Sequence, residues 1–453
     1  MSGFFDRAHS IAPPDYNRSL IPPAALAVHL SIGSVYAFST FNLPLTHLIG
    51  GAKHAPGDWT IPDVLWIFSI SILVLGLAAA VFGRWVERVG PRKTMFVAAC
   101  CFGGGFLVSA VGVVSHQLWL IYLGYGVIGG CGLGLGYIGP VSTLIKWFPD
   151  KPGMATGIAI MGFGGGAMIA GPLSVNLMAS FRSATSSGVA QTFVVMGIAY
   201  FIMMTFGALI VRLPAPGWKP AGWTAPVVPK KMVTTANVEA AAALRTPQFY
   251  LLWLVLCMNV TAGIAVLSQA SPMLQESFKG ISPAAAGGFV GLLSLFNMAG
   301  RFFWSSLSDL IGRKATYACF FVLGIILYWF APTLGDAGEL TLFVLAICII
   351  ISMYGGGFAA VPAYLKDIFG GMEVGAIHGV LLTAWSAAGV FGPLLIGQLR
   401  AYEASLGMKG AELYASTLHV MCALLLVGLI ANLLMSAVHE RHHYQGVVGQ
   451  EAN

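Results

Sequence analysis

Residues 297–314 read NMAGRFFWSSLSDLIGRK. One arginine, Arg301, stands inside an apolar run that stops eight residues later at Asp309, with Gly312, Arg313 and Lys314 just beyond. A helix rises 1.5 Å per residue, so Arg301 lies roughly 12 Å inward from Asp309. If Asp309 marks the edge of a hydrocarbon core of about 30 Å, Arg301 sits close to the midplane. A guanidinium there costs about 2.5–3.5 kcal/mol on insertion scales and by default faces a cavity or pathway. Its partner is then the question the rest of the chain has to answer.

The composition places the run in a membrane. Of 453 residues 57% are hydrophobic and only 9% charged, with a mean hydropathy of +0.82, where a soluble globular chain is roughly a quarter charged. Apolar stretches of about 20 residues predict twelve helices near 21–48, 62–83, 94–115, 117–145, 153–180, 189–212, 248–275, 284–306, 315–333, 340–365, 374–399 and 414–438. The polar, proline-bearing start MSGFFDRAHSIAPPDYNRS lacks the pattern of a secretory signal, so the first span is expected to be retained.

Lysine and arginine set the orientation. With both termini cytoplasmic, seventeen of the 23 basic residues fall on that side, Lys53, Arg182, Lys279, Arg400 and Lys409 fall opposite, and Arg301 alone stays in the membrane. The expected location is the bacterial inner (plasma) membrane. This accounts for the net charge of +6 as topology signals on short loops and disfavours nucleic-acid binding. Cysteine labels at positions 219 and 409 in a Cys-free background test it: an impermeant reagent applied to intact cells should block only 409. Labelling of 219 with protection of 409 would invert the orientation.

The chain reads as two halves. Residues 1–212 and 248–453 each hold six spans, joined by a Pro- and Ala-rich cytoplasmic linker at 213–247. The acid-x-x-Gly-basic pattern of GRWVERVGPRK (Glu87, Gly90, Arg92) returns about 222 residues later in SSLSDLIGRK (Asp309, Gly312, Arg313). GPVSTLIKWFPDKPGMATG (139–157) is echoed by VPAYLKDIFGGMEVGAIHG (361–379). Two six-helix bundles related by parallel repeats imply a substrate site at their interface near the midplane.

The repeated acid-Gly-basic loop resembles the signature of the major facilitator superfamily. GSVYAFSTFNLPL (33–45), GYIGPVSTLIKWFPDKPGMATGIAIMGFGGGA (136–167), NMAGRFFWSSLSDLIGRK, YGGGFAAVPAYLKDIFG and GAIHGVLLTAW are together similar to the oxalate/formate antiporter family, and more distantly to the monocarboxylate transporters, over nearly all of 20–440. The resemblance implies an all-α membrane protein with the twelve-helix major facilitator fold. It also implies that Arg301 corresponds to the family's substrate arginine in the eighth span. Oxalate-exchanging members pair that arginine with a lysine in the eleventh span, and Trp385 stands at the matching place here.

Depth arithmetic gathers further candidates. Tyr137 is nine residues from Lys146, Trp385 eleven from Val374 and Tyr354 twelve from Lys366, which puts all three roughly 14–18 Å from the cytoplasmic edge, level with Arg301. Aromatic residues with a polar tip belong at the interface, so these read as a cavity lining, with helix packing the equal alternative for each. Asn297 shares a helix face with Arg301 and can offer its amide to the same ligand; Tyr36 lies nearer the outer half. His29 and His378 can carry a proton or bond a neighbouring carbonyl. Glu87, Arg92, Asp309 and Arg313 read as a cytoplasmic gate network rather than proton carriers. GLGYIG (134–139) matches a phosphate-cradling motif, but within an apolar helix its glycines serve close helix approach, as do those of GFGGG (162–166). Seven cysteines inside spans form no CxxC, His439, His442 and His443 sit in a polar tail, and no metal or cofactor is expected. No HExxH, Ser-His-Asp order or carboxylate pair appears in the polar loops, so an enzyme is the poorest reading.

No acid lies at the depth of Arg301 in any span. Its simplest partner is a bound anion, which guanidinium grips bidentately. The sequence therefore predicts a secondary transporter of small organic anions working by alternating access. One fixed cation fits a monocarboxylate of the formate, acetate, lactate or pyruvate class, with protons or a counter-transported carboxylate as the other partner. An oxalate/formate antiporter is the alternative within transport, and a transporter-like carboxylate sensor is the alternative from another class.

Overall fold

The structure, a computed structural model, describes residues 4–13, 15–49, 55–183, 186–223, 232–234 and 236–445. Among the described residues twelve helices are long and apolar enough to cross a bilayer: α1 Arg18–Ala37, α2 Asp63–Val89, α3 Pro91–Val114, α4 Leu118–Trp147, α5 Pro152–Phe181, α6 Val189–Ile210, α7 Pro247–Ser277, α8 Ala285–Ile311, α9 Arg313–Asp336, α10 Leu340–Phe369, α11 Val374–Ser405 and α12 Glu412–Leu434. The fold is all-helical, with each of the spans expected from hydropathy present.

Local chemistry fixes the helix ends. Thr60 and Asp63 form a capping box at the start of α2, while Thr246 and Ser282 cap the chain entering α7 and α8. The repeated motif has a backbone reason for its glycine. Gly90 turns α2 into α3 at φ +82°, ψ 173°, and Gly312 turns α8 into α9 at φ +86°, ψ 151°. That region is essentially open to glycine alone.

Within the first bundle α1 lies along α5 and α6, α2 along α4, and α3 along α4 and α6; within the second α8 lies along α10, α9 along α12, and α7 along α11 and α12. The bundles meet where α2 runs beside α11 and where α5 runs beside α8 and α10. With no hydrophobic effect between helices in lipid, small residues permit these approaches: a Cβ on Gly379 of α11 would strike the backbone of Ala79 on α2.

The approach is one-sided. A Cβ on Gly165 of α5 would still meet Met298 Sδ of α8 at 2.7 Å, but on Gly171 it would meet only Ala37 at 4.0 Å, and Gly287, Gly288 and Gly291 of α8 have nothing within 4 Å. The cross-bundle approaches that glycines permit, from Gly83, Gly153, Gly157 and Gly375 to Gly165 and Gly389, run from the face that carries the termini and the basic loops to mid-depth.

Both described ends of the linker are tied down. Leu213 exchanges backbone hydrogen bonds with Ser10 and Ala12 at 2.7 and 2.8 Å, and Trp147 Nε1 donates to Arg212 O at 2.6 Å. On the other side Thr234 N and Val238 N donate to Asp367 O and Phe369 O, and Ala240 N to the Glu373 carboxylate. One end belongs to each bundle.

Candidate functional site

Arg301 of α8 is wholly buried at 0% exposure. Its Nε donates to Asn297 Oδ1 at 3.0 Å, one turn back on the same helix. Its Nη1 reaches Ile160 O of α5, in the opposite bundle, at 3.4 Å, the long end for a hydrogen bond. Nη2 has no partner. The guanidinium carbon lies 5.6 Å from the Phe163 ring centroid and 5.0 Å from that of Phe358. Cation–π contacts are worth about 2 kcal/mol where water is excluded, so these rings offset much of the insertion cost without neutralising the charge.

Glycine makes room for the side chain. A Cβ on Gly164 would lie 3.0 Å from Arg301 Nε, and one on Gly355 would lie 2.6 Å from Asn297 Oδ1 and 3.2 Å from Arg301 Cγ. GFGGG and YGGGF are therefore the two walls of the arginine's slot as well as helix contacts. Asn297 Oδ1 accepts from Arg301 Nε and so orients the guanidinium, which leaves the amide's Nδ2 donors for a ligand.

Around the same two phenyl rings the structure gathers the other candidates. Tyr137 lies 5.1 Å from Phe358 and 5.9 Å from Phe163, and Trp385 lies 5.7 and 6.1 Å from them. Tyr36 contacts Phe163 at 5.2 Å, and its hydroxyl is 3.5 Å from that of Tyr354 across the bundle interface. Tyr36 thus belongs to this layer, where the sequence placed it nearer the outer half. Phe163 of α5 and Trp385 of α11 stand at the same sequence offset as Glu87 and Asp309, so the layer follows the internal repeat. Sequence reasoning missed Phe163 and Phe358. Tyr137 Oη and Trp385 Nε1 are buried without a hydrogen-bond partner, as is Arg301 Nη2. All three can donate, and leaving such groups unmet costs about 1–3 kcal/mol each.

His29 and His378 also reach this centre, each against the Tyr137 ring, at 5.5 and 5.4 Å.

On the basic face, Asp309 of α8 accepts from the backbone N–H groups of Gly153 (3.0 Å) and Met154 (2.9 Å) at the start of α5. Glu87 of α2 accepts from Gly375 N at 3.0 Å, at the start of α11, and from Lys146 Nζ at 2.5 Å. Each bundle's acid thus caps a helix N-terminus of the other, where orphan N–H groups and the macrodipole favour an anion. Arg313 binds Asp309, Ser308 and Asp367, and Lys366 Nζ donates to Pro149 O at 3.0 Å. Arg18 holds Asp150 with two bonds of 2.9 and 3.1 Å; burial alone would raise the pKa of this carboxyl, but the bonded guanidinium brings it below the ordinary value.

Arg92 is the exception among the expected gate residues. It donates to Phe4 O at 3.0 Å and stacks on the Phe4 ring at 4.5 Å, beneath its own bundle. Pro91 adds one residue between Gly90 and the base, which has no counterpart between Gly312 and Arg313. One residue turns a helix by about 100°, enough to point the side chain elsewhere.

A family profile described as Major Facilitator Superfamily matches residues 19–393 and 261–447. The chain belongs to this superfamily. Within it, the chain is 26% identical to the oxalate:formate antiporter of Oxalobacter formigenes over 370 residues, covering 82% of this chain and 81% of that one. It is 25% identical to apicoplast pyruvate carrier 1 of Toxoplasma gondii over 386 residues, covering 72% and 68%. The fucose:proton symporter of E. coli shares the fold with a TM-score of 0.67 at 14% identity, covering 93% of this chain and 100% of that one. The protein is a multi-pass major facilitator transporter, a superfamily whose members move small solutes, often with protons or counter-ions.

Proposed function

We propose that this transporter carries a small monocarboxylate by alternating access between its two bundles, with Arg301 as the anion's counter-ion. The observation that carries the reading is the set of buried, unpartnered donors around Phe163 and Phe358: Arg301 Nη2, Tyr137 Oη and Trp385 Nε1. Donors without an acceptor suit a ligand that only accepts, as an ionised carboxylate does. Tyr36 and Tyr354, hydroxyl to hydroxyl across the interface, close the layer toward the face opposite the basic loops and part when the bundles move. The relatives whose names specify oxalate, formate and pyruvate support the same chemical class. Both termini are proposed to be cytoplasmic, in a bacterial plasma membrane.

Counterflow in proteoliposomes tests the reading: labelled formate, acetate, lactate or pyruvate should enter vesicles preloaded with the unlabelled acid. A sensor would bind carboxylate and show no counterflow.

Charge selectivity separates the two transport readings. Trp385 supplies an N–H and no charge where oxalate exchangers are expected to hold a second cation, so a second carboxylate would be buried unpaired. Monocarboxylates should outcompete oxalate by about tenfold or more, the equivalent of about 1.4 kcal/mol. Trp385→Lys should narrow or reverse that ratio in the same competition assay. High-affinity oxalate exchange by the unmodified chain would favour the antiporter reading instead.

A further inference from the structure

The internal repeat breaks at the base of the first bundle. At the repeat's spacing of about 222 residues, Arg92 stands where the second half has Lys314, and Arg212 where it has Leu434. In the second half one charge settles the place: Lys314 Nζ donates to Leu433 O and Met435 O, at 2.7 and 2.8 Å, at the carbonyl end of α12. In the first half the start of α3 and the end of α6 bring two guanidiniums together, near enough to repel each other. Tyr16 is the other ionisable group beside them, and its hydroxyl donates to Ile210 O at 2.6 Å.

No acid answers this pair. Arg92 is 4% exposed, donates from Nη1 to Phe4 O, and keeps Nε buried with no partner. Arg212 turns Nη1 back to Leu209 O and Val211 O at the end of its own helix. Among the described residues neither guanidinium is bonded to a carboxylate. The first turn of α3 adds Lys93, has no acidic residue and lacks a side-chain cap. Its orphan N–H groups and the positive end of the macrodipole therefore raise the potential at the same spot. A buried charge without a counter-charge is costly, and an anion from outside the chain removes that cost. The surface beside the pair indicates which anion. Phe5 stacks on Phe96 of α3 at 4.5 Å, and Phe96 meets Phe201 of α6 at 6.2 Å. Phe201, Ile202, Phe206 and Leu209 leave an exposed apolar strip along α6. Cationic groups at the helix ends with apolar surface running away from them match a phospholipid, whose phosphate and acyl chains sit in that order; basic pockets between spans on the cytoplasmic side recognise anionic lipid in this way.

We propose that the chain holds one anionic phospholipid at the base of α3 and α6, its phosphate gripped by Arg92 Nε and the Arg212 guanidinium and its acyl chains lying along Phe96 and Phe201. Phe4 covers Arg92 from below; it is 59% exposed and tied to the guanidinium by a single backbone acceptor. Phosphate oxygens are the stronger acceptors for guanidinium, so Phe4 gives way to them. The bound lipid neutralises the pair and braces α3 against α6. A free phosphate ion would meet the same two guanidiniums but leave the apolar strip unused.

Native mass spectrometry of the full chain, released from nanodiscs of mixed phosphatidylcholine and phosphatidylglycerol, tests the site. The unmodified protein should retain one phosphatidylglycerol. In the double variant Arg92→Gln, Arg212→Gln the apparent affinity for that lipid should fall by about tenfold or more, because two charge-assisted contacts are lost. Arg88→Gln removes an exposed base from the end of α2 and should leave retention unchanged, which separates a built site from general surface charge. Melting of the unmodified chain in phosphatidylcholine needs no variant: added phosphatidylglycerol should raise Tm by about 2 °C or more, and inorganic phosphate at the same concentration should not. If the double variant does not fold, retention and melting of the unmodified chain decide. No retained phosphatidylglycerol, equal retention by a folded double variant, or an equal loss in Arg88→Gln would each overturn the proposal. Equal stabilisation by inorganic phosphate would also overturn it, by assigning the two guanidiniums to a free anion.

Discussion

Arg301→Ala is expected to abolish carboxylate transport while leaving a folded, inserted protein. The substitution removes a charge whose insertion costs about 2.5–3.5 kcal/mol. It also removes two cation–π contacts, worth about 2 kcal/mol each where water is excluded, and one good hydrogen bond, from Nε to Asn297. The losses outweigh the relief by about 1–3 kcal/mol, a modest destabilisation, and no acid is stranded, because none is bonded to Arg301 among the described residues. Loss of a structural ion pair would instead leave an unpaired carboxylate and a destabilised fold. Thermal stability with and without pyruvate decides the matter. Wild type should gain about 2.7 kcal/mol at a hundred times Kd by linkage, whereas Arg301→Ala should start about 1–3 kcal/mol below the wild-type ligand-free value and gain nothing. Arg301→Lys keeps the charge but loses the fork and the stacking between Phe163 and Phe358, and should transport poorly. Asn297→Ala should cost the positioning bond alone, about 0.5–1.5 kcal/mol, a loss of about two- to tenfold in affinity. An Arg301→Ala protein that still accumulates carboxylate would place the site elsewhere.

The parts of this centre that were readable in the sequence share one property: they break a rule of the bilayer. Arg301, Tyr137, Tyr354 and Trp385 are polar at a depth where polarity is expensive, so a count of residues from the nearest basic loop was enough to gather them, and Asn297 follows from its place one turn from Arg301. Phe163 and Phe358 obey the rule. A phenylalanine in an apolar span carries no depth signal, and only its contact with the guanidinium distinguishes it from the rest. Gly164 and Gly355 were visible as small residues, but whether a glycine admits a neighbouring backbone or an arginine side chain depends on rotations that sequence spacing does not fix. The gate divides in the same way. Glu87 and Asp309 were marked by the repeat, yet their chief partners are backbone N–H groups of Gly375, Gly153 and Met154, which no residue type announces. Arg92 misled because the motif was read by composition, and Pro91 shifts it around the helix.

Asp309→Asn should unlock the basic face. Asp309 accepts two backbone N–H groups from the opposite bundle at the start of α5 and binds Arg313 on its own helix turn. An amide keeps one acceptor oxygen and loses the charge. Hydrogen bonds to charged groups contribute about 1.5–3 kcal/mol, so a loss of about 2 kcal/mol should favour opening by about 30-fold. The loss falls on the sealed state alone, since water can satisfy the start of α5 once the bundles part. Ser142, 5% exposed and set against Gly375, reports the change: a Ser142→Cys label applied from the basic face should react at least about tenfold faster with Asp309→Asn than without it. Glu87→Gln should do less, because Glu87 accepts one cross-bundle N–H rather than two. Gly153→Ala should mimic Asp309→Asn by another route, as its Cβ would lie 2.9 Å from Asp309 Oδ1 and 2.6 Å from Arg313 Nη1, forcing the same junction apart with every charge in place. Because both act on one junction, the double variant should label little faster than Asp309→Asn alone. Full additivity would mean that Asp309 and Gly153 act at separate steps, and unchanged labelling in Asp309→Asn would mean that the two acids do not hold the face shut.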